Sequence, residues 1–304
     1  MGRDARWAIL LGAPLVVAVV FSLARVAAEP FHVPAEEDYP AARAVLDEAG
    51  YAPAVDAWAV LPPWSLRAWK HLGDRKPMSG DGLWRRPLHR YARLFVVVEP
   101  DAGQFLQPLQ QRLGPPAAEK EAGRLRVLRW DLGGPHVAFD FTAHVEDATV
   151  RILASNGAAT PCETVTRGGK ACAGRGAWMK VTRQWLLVSE NGDEALWAHP
   201  PPPGQTLELR WDNVTLGPSI VVRAGHTREG ADRATGEVRL HIKVDDREVG
   251  VVRRKPAFDF VPEEIPIPGV TGPGHTVTFQ VETDQDATNH FVLDAYAVAQ
   301  GVTP

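Results

Sequence analysis

The chain has 304 residues, 45% hydrophobic and 23% charged, which excludes an intrinsically disordered protein. Its net charge of -4, with Lys and Arg scattered rather than striped, excludes a dedicated nucleic-acid binder. The 27 glycines and 26 prolines imply many turns and favour β structure over a helix bundle.

Arg3 and Arg6 precede an uncharged, mainly apolar run from Trp7 to Ala24, closed by Arg25. As a helix such a run reaches roughly 27 Å, nearly a bilayer core. Val26-Ala27-Ala28 supplies the small residues that a signal peptidase reads. Residues 1–29 are therefore expected to be a signal anchor or a cleaved signal peptide. The anchor is favoured because the run exceeds the ~7–15 residues of a usual signal core. Either way the leading positive charges keep the N-terminus inside and export the remainder of the chain. The expected location is inner-membrane anchored with periplasmic domains, or free in the periplasm after cleavage.

Residues 30–134 alternate helix and strand. Asp38 to Leu46 opens like a capped helix, with Asp38 as N-cap and Pro40 in the first turn, and Gly50 ends it. Val55 to Leu61 is a short apolar strand that stops at Pro62-Pro63-Trp64, and a short helix is expected around Ser65 to His71. Arg93 to Val98 is a continuous apolar strand of the kind buried on both faces. Asp101 to Leu113 reads as a helix containing Pro108, Ala117 to Gly123 as a charged surface turn, and Leu125 to Trp130 as a third strand. This order predicts a small parallel α/β domain.

From residue 135 to 304 the periodicity changes to two. Phe139 to Val145, Val238 to Val244, Val249 with Val251, Val277 to Val281, and Phe291, Leu293 and Ala295 alternate apolar and polar positions. Trp185 to Val188 and Leu207 to Trp211 supply further strands, Asp245-Asp246 sits where a hairpin turn belongs, and His199 to Gly204, with four prolines, is expected to be a rigid surface loop. The fold class is therefore α+β with two domains, the second an antiparallel, jelly-roll-like β-sandwich.

Cys162 and Cys172 are the only cysteines, and in an exported chain they are expected to pair in a structural disulfide. No cofactor is expected. The first clear strand ends in two prolines and a tryptophan where a nucleotide site needs glycines, no Walker A sequence occurs, and Gly-x-Ser-x-Gly is absent, so nucleotide and nucleophilic hydrolase readings are disfavoured. Structural calcium would use oxygen ligands from separate loops, with Asp284, Asp286 and Asp294 as the first candidates. Asp140, His144 and Glu146 share the polar face of one predicted strand, and their convergence on a metal would make a metal-assisted hydrolase.

Ten tryptophans remain to be explained. Trp64 and Trp69 follow the strand end where a parallel sheet places a ligand crevice, while Trp178, Trp185, Trp197 and Trp211 lie in the sandwich half. Exposed rings there would stack on the apolar faces of sugars. Trp64, Trp69, Trp178, Trp197 and Trp211 are therefore the candidate ligand-binding residues.

The stretch from Asp38 to Glu99, with Asp-Tyr-x-Ala-Ala, Pro62-Pro63-Trp64 and Arg93 to Val97, resembles the small soluble α/β domain of certain bacterial membrane glycosyltransferases. These are the polyprenyl-phosphate-dependent enzymes related to protein O-mannosyltransferases. Cys162 to Cys172, Trp178, Leu196 to Pro200, Leu207 to Leu209, Leu216-Gly217, Gly274 to Phe279 and His290 to Ala295 resemble the β-sandwich tail of the same enzymes. The chain lacks their multi-span region and with it their acidic catalytic motif, and Asp245-Asp246 stands where Asp-Gly is expected. The resemblance implies an accessory or sugar-recognising exported module rather than a transferase. The expected partners are a glycan or envelope component, the membrane through the N-terminal segment, and a membrane glycosyltransferase. The alternative is a structural protein that docks on such an enzyme.

Overall fold

The computed structural model describes residues 17–22, 33–65, 67–72, 78, 80, 82–174, 176–188 and 192–300. Most of the expected N-terminal anchor or signal lies outside the described residues; within it, residues 17–22 are helical. Among the described residues no helix is long and apolar enough to cross a membrane. The chain divides into two compact units, one from residues 1–80 and 93–131, the other from 81–92 and 132–304.

The first unit runs α1 (Asp38–Glu48), β1 (Asp56–Leu61), α2 (Arg67–Leu72), β2 (Arg93–Val98), α3 (Gly103–Leu113), β3 (Ala118–Ala122) and β4 (Leu125–Asp131). The sheet order is β1-β2-β4-β3, and β1 and β2 pair in parallel with both nearly fully buried, as their apolar runs require. The expectation of a parallel sheet holds for that pair only, because β4 runs antiparallel to both β2 and β3. The stretch expected as a charged turn is the edge strand β3, whose first four residues are exposed. Its charges suit an edge that must not recruit another chain: Glu119 pairs with Arg126 and Lys120 with Glu48. Asp38 does not cap α1 but lies within it and accepts a hydrogen bond from the Ala35 amide at 2.7 Å. Tyr39, Leu46, Trp58, Leu72, Phe95 and Leu125 fill the core beneath the helices.

The second unit is a β-sandwich. One sheet takes β5 (Val137–Asp140), β8 (Thr164–Thr166), β9 (Gly169–Ala171), β10 (Lys180–Leu187), β11 (Gly192–Ala198), β13 (Ser219–His226), β16 (Phe260–Pro266) and β18 (Phe291–Val298). The other takes β6 (Thr149–Leu153), β7 (Ala159–Pro161), β12 (Thr206–Leu216), β14 (Val238–Val244), β15 (Arg247–Arg254) and β17 (Gly272–Thr283). The core between them is built from alternate residues of both sheets, among them Leu196, Leu209, Val222, Leu240, Phe279 and Leu293. Asp245 and Asp246 make the β14–β15 turn with φ of 49° and 64°, the left-handed pair that a two-residue hairpin needs and that Asp tolerates. The proline run is not wholly a surface loop. It carries the chain from β11 in one sheet to β12 in the other, so His199, Pro200 and Pro201 are buried at the crossing. The Cys162–Cys172 disulfide is formed, and it ties the end of β7 to the end of β9, one from each sheet.

The eight-stranded sheet has a second, outer face. Asp193 of β11, Arg223 of β13 and Asp294 of β18 stand on it, and Arg86 and Arg90 of the segment 82–92 reach the same carboxylates. Arg223 donates to Asp193 at 2.6 Å and Arg86 to the same oxygen at 2.9 Å, while Arg90 spans Asp294 at 2.6 Å and Asp140 at 2.8 Å. Thr142 closes the set by donating to Asp294 at 2.8 Å. Removing one partner from such a network strands the opposite charge in a dry site. Arg90→Ala is accordingly expected to lower the unfolding free energy by about 3–5 kcal/mol in chemical denaturation. A loss below about 1 kcal/mol, the range of an exposed pair, would contradict this placement.

Candidate functional site

Further along the same outer face the sheet changes from ionic to aromatic. Trp197 of β11 faces outward, with Thr182 of β10 and Val292 of β18 as its cross-strand neighbours. Two residues on, His199 keeps the same face, and its ring lies 6.2 Å from the Trp197 ring at an interplanar angle of 11°. His290 completes the group, 4.8 Å from Trp197 and 6.0 Å from His199 between ring centroids. Val188, Ala195, Phe260 and Val292 form a small apolar cluster against which Trp197 packs.

Each ring is positioned from below. The Trp197 Nε1–H donates to the Trp178 carbonyl at 2.8 Å, fixing the indole against the loop before β10. His290 ends the loop after β17, and the wholly buried Asn289 pins that loop: its amide donates to Gly236, Thr283 and Gln285, and its oxygen accepts from His226 Nε2 at 2.9 Å. A short helix, α4 (Arg228–Arg233), lies over His290; Gly230 allows this, since a β-carbon there would come within 3.0 Å of the His290 backbone and β-carbon. Thr227 caps that helix through the Gly230 amide, and its Glu229 pairs with Arg233 at 2.8 Å and stands 3.7 Å from His290 Nδ1.

Burial and the neighbouring His290 push His199 down to about 4, and burial also lowers His290 and His226. All three imidazoles are therefore neutral near pH 7. Two buried polar atoms beside Trp197 have no hydrogen-bond partner, Thr182 Oγ1 and His199 Nδ1. On the loop before β10 the indole of Trp178 lies against Gly176 and is 55% exposed. This end of the sheet therefore offers solvent an exposed indole close to a half-buried aromatic group.

The structure sorts the expected ligand-binding residues into three groups. Trp178 meets Trp197 through its backbone carbonyl, which accepts the Trp197 Nε1–H, while its own indole lies against Gly176. Trp211 does not join them: it is 1% exposed, stacks edge-on to Phe141 and Phe279 in the sandwich core, and donates Nε1–H to the His144 carbonyl at 2.9 Å. Its strand position points inward, where its volume is needed. In the first unit Trp64 is exposed and packs edge-on to Phe105 at 4.9 Å, whereas Trp69 packs against the core. A cleft of about 330 Å³ does open at the C-terminal end of β2, but Glu99, Asp101, Glu121, Gly123, Arg124 and Arg126 line it, not the two tryptophans.

The calcium candidates are not assembled. Asp284 and Asp286 lie on the loop after β17, while Asp294 is buried on β18 under Arg90 and Thr142. Asp140, His144 and Glu146 do not share a strand face. β5 ends at Asp140, whose carboxylate turns the chain by accepting the Ala143 amide and binds Arg90; His144 pairs with Asp147. Among the described residues no group of three His, Cys, Asp or Glu side chains is placed to hold a metal ion. Sequence reasoning missed His199, His290 and Thr182. The spacing of Trp197, on β11, and His199, just past its end, was a readable signal; the contribution of His290 from a distant loop was not.

No protein-family model matches this chain, and no curated protein matches it. Solved structures are similar over about half of it. The CBM51-2 and INT domains of Clostridium perfringens ZmpB share 10% identity, with 49% of this chain and 25% of that chain covered at a TM-score of 0.24. A CBM51 from Clostridium perfringens GH95 in complex with methyl-galactose shares 12%, covering 49% and 80% at 0.25. A family 35 carbohydrate binding module from an environmental isolate shares 12%, covering 46% and 92% at 0.27. The chain thus spans a quarter of the ZmpB structure's length.

The lowered histidines give the stability a definite pH dependence. An unfolded imidazole takes up its proton near pH 6.5, whereas folded His199 resists protonation until about 4. The stabilisation is complete above pH 6.5 and is lost as pH falls from there toward 4, because the unfolded state binds the extra proton. Between pH 7.5 and 4.5 the unfolding free energy of His199→Phe should fall by on the order of 2 kcal/mol less than that of the unmodified chain. Parallel stability curves for the two proteins would contradict the assignment.

Proposed function

We propose that the second unit is a non-catalytic sugar-recognition module that holds a pyranose ring on its outer sheet face against Trp178 and Trp197. The exposed Trp178 indole carries the reading. Trp211, Phe141 and Phe279 of the same unit are by contrast withdrawn into the core. An exposed indole on the loop whose carbonyl anchors a second, half-buried indole suits a ligand with one apolar face and a polar rim. A pyranose is such a ligand, with C–H groups on its face and hydroxyls at its edge. Glu229 nearby pairs with Arg233, and Asp193 further along the sheet pairs with Arg86 and Arg223.

The placement that accompanies this proposal is extracytoplasmic. The Cys162–Cys172 disulfide suits an oxidising compartment, and the run from Trp7 to Ala24 suits export. The likeness of residues 38–298 to the soluble regions of membrane glycosyltransferases supports a role beside glycosyl transfer. A second reading, an envelope protein that docks on a partner, is favoured by Trp185 and Leu187, which stand exposed on one face at the far end of β10.

Trp178→Ala should weaken glycan binding by the full-length chain at least about tenfold in titration calorimetry while leaving its unfolding curve unchanged. Saturable binding that ignores this substitution, or clean silence across a glycan panel together with capture of one stoichiometric protein partner, would favour the docking reading instead.

A further inference from the structure

We propose that the first unit carries a binding site of its own, in the cleft at the C-terminal end of β2. Its ligand is a small molecule bearing a primary ammonium group, which Glu99 receives. The cleft encloses about 330 Å³, near the lower end of the range for small-molecule sites. It lies where a parallel pair of strands places a ligand: Glu99 follows β2 directly, and its amide donates to the Leu61 carbonyl at the end of β1 at 2.9 Å. The site stands apart from the sugar reading, which concerns the other unit.

Glu99 is aimed by two separate elements. The hydroxyl of Tyr39, wholly buried on α1, donates to its Oε1 at 2.7 Å. The hydroxyl of Ser65, 8% exposed ahead of α2, donates to the same oxygen. Both bonds fall on Oε1, so the carboxylate is held in place while no described residue donates to Oε2. Oε2 is not among the buried atoms lacking a partner, and Glu99 lines the cleft, so a ligand in the cleft reaches it. A carboxylate oriented in advance binds without the cost of ordering its side chain.

The charge of the surroundings sets the ligand class. Asp101 and Glu121 bring the carboxylates of the wall to three, against the guanidinium groups of Arg124 and Arg126. Arg126 stands across from Glu121 and pairs with Glu119 at 2.9 Å, while Arg124 donates to the Val33 carbonyl at 2.8 Å. Asp38, 7% exposed, adds charge beside the wall: a β-carbon on Gly123 would lie 1.9 Å from its Oδ1. Among the described residues neither Asp38 nor Glu99 is in an ion pair. An anionic ligand would add to this negative surplus and has no hydrogen for Oε2. A primary ammonium brings the opposite charge and three donors. A quaternary ammonium brings the charge alone and forgoes the charge-assisted hydrogen bond.

The test follows backbone amide resonances of the full-length, nitrogen-labelled chain in about 0.15 M salt, where diffuse attraction is screened. The probes are ethanolamine, putrescine, choline and succinate. At least one of the two primary amines should saturate, with shifts at Glu99, Gly103 and Gly123. It should bind at least about tenfold more tightly than choline or succinate. Glu99→Gln keeps an oxygen for Tyr39 and Ser65 and removes the charge; it should weaken the amine about tenfold with the rest of the spectrum unchanged. Asp101→Asn should weaken it about threefold, since asparagine tolerates the left-handed backbone of that residue, φ 66°. That variant carries the test should Glu99→Gln fail to fold. Equal or tighter binding of succinate or choline overturns the proposal. So do an amine affinity that the folded variants leave unchanged, saturable shifts confined to other residues, and silence toward both amines by the folded chain.

Discussion

Three guanidinium groups and three carboxylates on one sheet face govern the second unit. Arg86, Arg90 and Arg223 face Asp140, Asp193 and Asp294, with Asp294 almost wholly buried. Burying one such group alone would be prohibitive, so the six are held as a set, and the set fixes register. Arg223 and Asp294 are cross-strand partners, Asp193 comes from β11 on the other side of β18, and the segment 82–92 is bound across them through Arg86 and Arg90. Arg90 also lies 4.5 Å over the Tyr296 ring, and burial raises that tyrosine above its ordinary range. A sandwich sheet that would otherwise expose its outer face is covered there by ion pairs rather than by a second apolar layer.

The aromatic surface depends on that covering. β11 and β18 run through the ionic network and continue into Trp197 and His290, so the orientation that places Asp193 and Asp294 also decides which ring faces outward. Where segment 82–92 makes its ion pairs, the face is closed; where the tryptophans stand, it meets solvent. The two ends of the same sheet thus do different work from one alternation of side chains. Asn289 adds a polar anchor for the 284–290 loop that the functional residues need, buried among Gly236, Thr283, Gln285 and His226.

Much of this was legible in the sequence. The alternation at Val238 to Val244 and at Phe291 to Ala295 gives strands with the expected inward residues, and the Asp245-Asp246 turn forms where the two strands demand it. The disulfide joins the only two cysteines of the sequence, as expected from it. What failed did so for physical reasons. Glu119, Lys120 and Glu121 carry a strand's hydrogen bonds behind a turn's composition, because an edge strand is kept soluble by charge. Trp211 and Trp178 are the same residue type, and only parity within a strand against a loop position separates core from surface. Asp294 looked like a free acid in a calcium loop because its partners, Arg90 and Thr142, are about 150 to 200 residues away in sequence.

The most direct test of the account tracks the ten indole N–H resonances of the full-length, nitrogen-labelled chain during titration with a neutral hexasaccharide. Saturable shifts confined to Trp178 and Trp197, with the signal of core Trp211 fixed, are the predicted result. Shifts centred on Trp64 and Trp69, or none on Trp178 and Trp197 at saturating sugar, would contradict it.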